Sequence, residues 1–209
     1  MHIFPILFPS SLDNLRFLVY DLLRLNLANA YFSSYLLHHM ASFEAVFFGE
    51  LLAQTKVKEL ALQLTAIRCL VNLFSTVYGG EFMYTKVDLV ELTVVDWSPG
   101  LVANRNVQLA YATLWFNYSV LLVDRSKDRS KLMDLLLKKV IQADQVEGLA
   151  GEAAATMMNV FGNLLAAGGK AWQEEKEEVR EHLRKVQSYP QTYGEASGVR
   201  SALVQINRL

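Results

Sequence analysis

A single cysteine, Cys69, stands among 209 residues, so no intramolecular disulfide can form. A lone thiol fits a reducing compartment, the cytoplasm or the nucleus, better than secretion. Neither sign of charge is in excess: Lys and Arg total 20 against 21 for Asp and Glu, which argues against duplex nucleic acid as a partner. The stretch Met1-His2-Ile3-Phe4-Pro5-Ile6-Leu7-Phe8-Pro9 is apolar but lacks a basic n-region and is broken by two prolines. Residues 1–9 therefore read as an extended lead-in and not as a signal peptide. Two stretches without Asp, Glu, Lys or Arg, Leu25 to Phe43 and Asn106 to Val123, have the length of a membrane span. Both carry too many polar groups for hydrocarbon, Asn26, Asn29 and His38-His39 in the first and Asn106, Gln108, Asn117 and Ser119 in the second. No Gly-rich phosphate loop, nucleophile elbow or metalloprotease motif is present, and no spacing around His38 and His39 completes a zinc site. The expectation is a non-enzymatic protein with no metal, no cofactor, no membrane and no nucleic acid.

What is present is apolar sequence, 52% of the chain, arranged with helical periodicity. In Leu60 to Phe74 the residues Leu60, Leu64, Ile67, Val71 and Phe74 recur at steps of four and three, which places them on one helical face. The same reasoning predicts helices at Leu12 to Asn26, Phe43 to Gln54, Val57 to Val77, Phe82 to Val95, Val107 to Val123, Ser130 to Gln142, Gly151 to Ala167, Ala171 to Val186 and Glu195 to Asn207. Gly79-Gly80, Asp96 to Gly100, Gly168-Gly169 and Tyr189-Pro190 are the breakers between them. The β-branched run Thr93-Val94-Val95 has no alternating partner to pair with, so the class is all-α.

Five of the ten asparagines fall at nearly constant intervals. Asn26, Asn72, Asn117, Asn163 and Asn207 are separated by 46, 45, 46 and 44 residues, each late in a predicted helix. About three helices per period of roughly 45 residues is the length of an armadillo or HEAT unit, which predicts a solenoid of four to five helical repeats over residues 10–209. Four and seven positions before the central asparagines stand Arg68 and Thr65, Thr113 and Ala110, and Asn159 and Thr156, which share one helical stripe with them. The outer repeats depart from this, with Leu22 and Val19 before Asn26, as end repeats that cap an array commonly do.

An Asn side chain offers both a donor and an acceptor, so a row of them on a concave face can pair with the backbone of an extended peptide. Nearby charge such as Arg68 would then set specificity. Spacing alone equally supports a second reading, in which each Asn bonds to a neighbouring helix carbonyl and holds the repeat geometry.

The segments Thr65-Ala66-Ile67-Arg68-Cys69-Leu70-Val71-Asn72, Asn106 to Ser119 and Phe161-Gly162-Asn163-Leu164, with the opening Asp21-Leu22-Leu23-Arg24-Leu25, resemble the PUL domain. This is the C-terminal domain of the phospholipase A-2-activating protein group of ubiquitin-pathway adaptors. The likeness runs in order from about Phe8 to the C-terminus, and Ala112-Thr113-Leu114 with Asn117-Tyr118-Ser119 is its most specific part. The resemblance implies an armadillo-like fold, no catalytic activity, and a basic concave groove for the acidic C-terminal tail of the AAA unfoldase valosin-containing protein. Of the two arginines that serve this binding in the family, one matches Arg68 and the other falls on Thr156, which predicts weaker binding here. The candidate peptide-binding residues are Arg68, Asn72, Thr113, Asn117, Thr156, Asn159 and Asn163, with Trp115, otherwise at core spacing, joining them if its ring points into the groove. The family also occurs fused to thioredoxin-like or thiol-peptidase domains, so the alternative is a scaffold domain of a larger protein with a different ligand.

Other signals have plainer readings. Cys69 sits mid-helix among apolar neighbours, as a buried small hydrophobe rather than a thiol nucleophile. The tandem Asp124-Arg125-Ser126-Lys127 and Asp128-Arg129-Ser130-Lys131 reads as a solvated linker. Glu174 to Glu178 followed by Arg184 and Lys185 suits a helix dipole. Met157, Met158, Tyr111, Phe116 and Tyr118 are at core spacing. The exposed apolar lead-in motivates a monomer or weak self-association.

Overall fold

The computed structural model describes residues 13–39, 48–57, 59–94, 104–123, 130–146 and 149–186. Among them are ten helices and no strand, an all-α helical-repeat fold. The lead-in over residues 1–9, the breaker at Asp96 to Gly100, most of the tandem linker, and the helix expected at Glu195 to Asn207, with Asn207 itself, lie outside the described residues. The chain divides into two compact units, residues 1–100 and 101–209.

The first unit holds α1 (Asp13–Leu27), α2 (Ala30–His39), α3 (Gly49–Gln54), α4 (Leu60–Leu73), α5 (Val77–Thr85) and α6 (Val87–Thr93). The second three repeat the first three in space: α4 packs on α1, α5 on α2 and α6 on α3. The starts of α1 and α4 are 47 residues apart, as are those of α2 and α5, which matches the asparagine period. Leu62, Ala66, Ile67, Cys69, Leu70 and Leu73 make the buried side of α4, and Tyr20 and Leu27 that of α1.

The single helix expected over Phe82 to Val95 is divided between α5 and α6, and two helix starts also differ from the sequence expectation. Helix α2 lies in a stretch with no expected helix, and its start is fixed by Asn29, whose Oδ1 accepts from the backbone N–H of Tyr31 (3.0 Å) and Phe32 (3.2 Å). Gly79-Gly80 does not separate helices but lies in the first turn of α5. Thr76 caps that helix by accepting from Gly79 N–H at 3.0 Å. The chain turns by 114° between α4 and α5, and a Cβ on Gly79 would sit 1.7 Å from the Leu73 carbonyl oxygen. The glycine is needed for close approach at the corner, and three residues of turn before it do the breaking.

The second unit holds α7 (Arg105–Val123), α8 (Ser130–Asp144), α9 (Gly151–Glu175) and α10 (Glu177–Val186). Helices α7 and α9 start 46 residues apart and pack along each other, with α8 against both and α10 against α9. Asn104 caps α7, accepting from Asn106 N–H at 2.9 Å and Val107 N–H at 3.2 Å. The expected break at Gly168-Gly169 is a kink inside α9, where Gly169 takes φ 65°, a conformation that favours glycine. Extended backbone at Lys176 adds a second break, so the single helix expected over Ala171 to Val186 is divided. Among the described residues no single helix is long and apolar enough to cross a membrane.

Candidate functional site

The exposed side of α4 carries the first group of candidate residues. Arg68 is exposed and makes no ion pair among the described residues. One turn on, Asn72 is half-buried, and its Nδ2 donates to the backbone carbonyl of Arg24 on α1 at 2.7 Å. This bond belongs to a row. Cys69 Sγ donates to the Tyr20 carbonyl at 3.4 Å, and Ser75 Oγ to the Leu27 carbonyl at 3.0 Å. Positions 69 and 72 lie on one stripe of α4 and Ser75 in the turn that follows it, and the three carbonyls climb α1 turn by turn, each using its second lone pair. Because a carbonyl oxygen only accepts, the amide orientation of Asn72 is fixed, with Oδ1 turned away from the bond. Thr65, expected on the solvent stripe, is buried and donates to the Ala61 carbonyl at 2.8 Å.

The second unit brings together the other group. Thr113 and Asn117 on α7, and Thr156, Asn159 and Asn163 on α9, are all half-exposed. Asn163 Nδ2 donates to Ser119 Oγ at 2.9 Å, while that hydroxyl donates its own hydrogen to the Phe116 carbonyl at 2.7 Å. Ser119 therefore accepts from the asparagine, and this amide too is oriented. Thr113 and Thr156 donate to the carbonyls four residues back, Leu109 at 2.7 Å and Glu152 at 2.8 Å, which leaves their oxygens as acceptors. Arg105 pairs with Glu152 at 3.0 Å beside this face.

Trp115 is a correction. It is fully buried, between Tyr111 (5.8 Å, edge-on) and Tyr118 (5.6 Å, stacked), with the Lys139 ammonium 5.3 Å from its ring centroid. Its position on α7 faces the core, so it does not line a ligand surface. Lys139 is itself buried, its charge held against that ring.

In the first unit two three-helix sets repeat, their leading helices at an offset of 47 residues, and Asn72 is oriented by its bond from one set to the other. The family model of the PUL domain matches residues 8–200. The chain belongs to the PUL domain family. No curated protein and no solved structure matches it significantly. The PUL domain is a protein-interaction module.

Two further features of this PUL domain bear on chemistry. Burial pushes the Cys69 thiol up to about 12, with Arg24 acting weakly against that, so no thiolate forms at neutral pH. His182 on α10 is buried with Nδ1 3.2 Å from Asp144 Oδ2, and the Lys185 ammonium is 3.2 Å from the same oxygen. The Phe161 ring meets the imidazole edge-on at 4.6 Å. Burial, and then the Lys185 charge, bring His182 down to about 4, which keeps it neutral. Burial raises the Asp144 carboxyl and Lys185 pulls it back. Among the described residues no group of three or more His, Cys, Asp or Glu is placed to hold a metal ion.

Ser75, Ser119 and Gln108 were not among the candidate binding residues of the sequence. Gln108 Oε1 accepts from the Ala150 N–H at 2.7 Å, satisfying a donor at the start of α9. The usable signal was a serine two or three residues after a repeating asparagine, in Asn72 to Ser75 and Asn117 to Ser119.

Proposed function

We propose that this PUL domain is a non-enzymatic adaptor that holds an extended acidic peptide, and that its partner is the C-terminal tail of valosin-containing protein, the ligand implied by the resemblance. The observation that carries the reading is Arg68, an exposed cation without an ion pair among the described residues, one turn from an asparagine whose amide is fixed by the Arg24 carbonyl. A pre-oriented amide meets a peptide backbone without first losing rotamer freedom, and a nearby guanidinium favours carboxylates. Asn72 supplies backbone recognition on the first unit. Thr113, Asn117, Asn159 and Asn163 supply it on the second, where Thr156 stands in place of the family's second arginine and lowers the affinity.

Titration of the full chain with a fluorescent peptide of that tail, at low and physiological salt, tests this. The expected result is saturable binding that weakens with salt and by on the order of tenfold in Arg68→Ala. Absence of binding at both salts overturns the partner, and undiminished binding by Arg68→Ala removes that arginine.

A further inference from the structure

We propose that Glu152 is a built-in competitor of the acidic ligand on the second unit: its carboxylate holds Arg105, and a carboxylate of the bound peptide reaches that guanidinium only by taking the place of Glu152. The inference rests on the reading of this face as a peptide-binding surface and adds to it what sets its charge preference. From Glu152 to Leu165 every residue of α9 is buried except Glu152, Thr156, Asn159, Gly162 and Asn163. Steps of four, three and four lead from Glu152 through Thr156 and Asn159 to Asn163, so the glutamate opens the same stripe one turn before its first candidate residue. Arg105 opens α7 in the same way, two turns before Thr113. The Glu152 carboxylate meets the Arg105 guanidinium at 3.0 Å and Asn163 meets Ser119 further along, so the two helices run parallel, with Thr113, Asn117, Thr156 and Asn159 on the strip that these contacts mark out.

The charges of this strip are few and cancel. Arg105 is the only charged residue of α7, and Glu152 is the only one of α9 before Lys170. The amides and hydroxyls between them are neutral. On the first unit, by contrast, Arg68 is exposed and has no ion pair among the described residues. The Arg105 and Glu152 side chains are 67% and 57% exposed, so their pair stands in water and is held weakly. A ligand carboxylate that displaces Glu152 exchanges one charge-assisted bond for another and leaves the freed glutamate as a like charge beside it. Arg105 therefore adds little to the binding of an acid while Glu152 is present, and the full attraction of the guanidinium appears only when that charge is removed.

Fluorescence titration of the full chain with the acidic tail peptide, and with the same peptide carrying amides in place of its carboxylates, tests this. Glu152→Gln is expected to tighten the acidic peptide by about fivefold at low salt, with a smaller gain at physiological salt and none for the amide peptide. Glutamine keeps the backbone carbonyl that accepts from the Thr156 hydroxyl at 2.8 Å, and the side chain replaced is exposed, so helical circular dichroism and melting temperature are expected to stay at the parent values. The gain is expected to be larger with Arg105 in place than in Arg105→Gln, where Glu152 has no guanidinium to hold. An unchanged or weaker affinity in Glu152→Gln overturns the inference and leaves the peptide-binding reading standing. An equal gain with and without Arg105 overturns the competition, because long-range repulsion alone then accounts for it. If the parent does not bind the tail, the partner proposed above is overturned, and an oligoglutamate peptide, which offers carboxylates without that sequence, takes its place in the same titrations. Oligoglutamate bound no better by Glu152→Gln than by the parent overturns the inference.

Discussion

Asn72 and Arg24 are joined across 48 residues of sequence by a 2.7 Å hydrogen bond from side-chain amide to backbone carbonyl, midway along a row of three side-chain-to-carbonyl bonds that run from α4 and the turn after it to α1. The two readings of the repeating asparagines, backbone recognition and repeat geometry, therefore meet in one side chain. One amide proton of Asn72 secures the stack, and its carbonyl oxygen remains turned away from it.

Replacing Asn72 with Ala should lower the stability of the domain by about 1 kcal/mol, the net value of a hydrogen bond whose acceptor keeps its helical partner. Asn72→Asp should be worse, since a carboxylate would face the Arg24 carbonyl with no donor between them. Urea denaturation of the two variants beside the parent measures both. Equal stability of all three would mean that the row contributes nothing to the stack.

Gly79→Ala should be among the most damaging small substitutions in the first unit, because its Cβ would lie 1.7 Å from a backbone oxygen that cannot move aside. A loss of about 2 kcal/mol or more is expected. Gly49→Ala is the control: nothing lies within 4 Å of its Cβ, and removing backbone freedom in a helix should be neutral or favourable by about 0.5 kcal/mol. Chemical denaturation midpoints of the two alanine variants should move in opposite directions or differ by the full clash.

His182 should make the second unit acid-labile. Its folded value, about 4, lies below its ordinary 6.5, so the unfolded chain binds more protons between these limits. The stability His182 contributes is whole above pH 6.5 and declines as pH falls toward 4, by up to about 3 kcal/mol. Asp144, raised by burial, works in the opposite direction. Melting temperatures across this range should fall for the parent and fall less for His182→Gln. Parallel curves for the two would exclude the imidazole as the source.

Cys69 should resist thiol reagents in the folded domain at about pH 8, since its thiol is both buried and pushed up to about 12. Labelling by a chromogenic disulfide should be complete in denaturant and otherwise limited by unfolding. Rapid native labelling would show that the first unit opens around α4.

Much of this was written in the sequence. The all-α class, the period near 46 and the exposure of Arg68 on α4 follow from hydrophobic steps of three and four, because a helix that must bury one side imposes that spacing wherever it occurs. The boundaries at Asn29, Thr76 and Gly79 were less legible. A cap and a breaker use the same small polar residues and glycines, and only the neighbouring backbone tells them apart. Trp115 was misplaced for a related reason: on a helix buried on most of its circumference, apolar spacing no longer marks which side is solvent.

By itself the sequence determined a repeating helical chain with polar positions at regular intervals, since periodicity is a local property. Tertiary structure alone decided what each polar group meets. Asn72 found the Arg24 carbonyl, Asn163 found Ser119, His182 found Asp144, and Leu18, Leu22 and Leu25 stayed more than half exposed. The partner of a side chain lies tens of residues away in sequence, and the offset between stacked helices, not the order of the residues, sets the pairing.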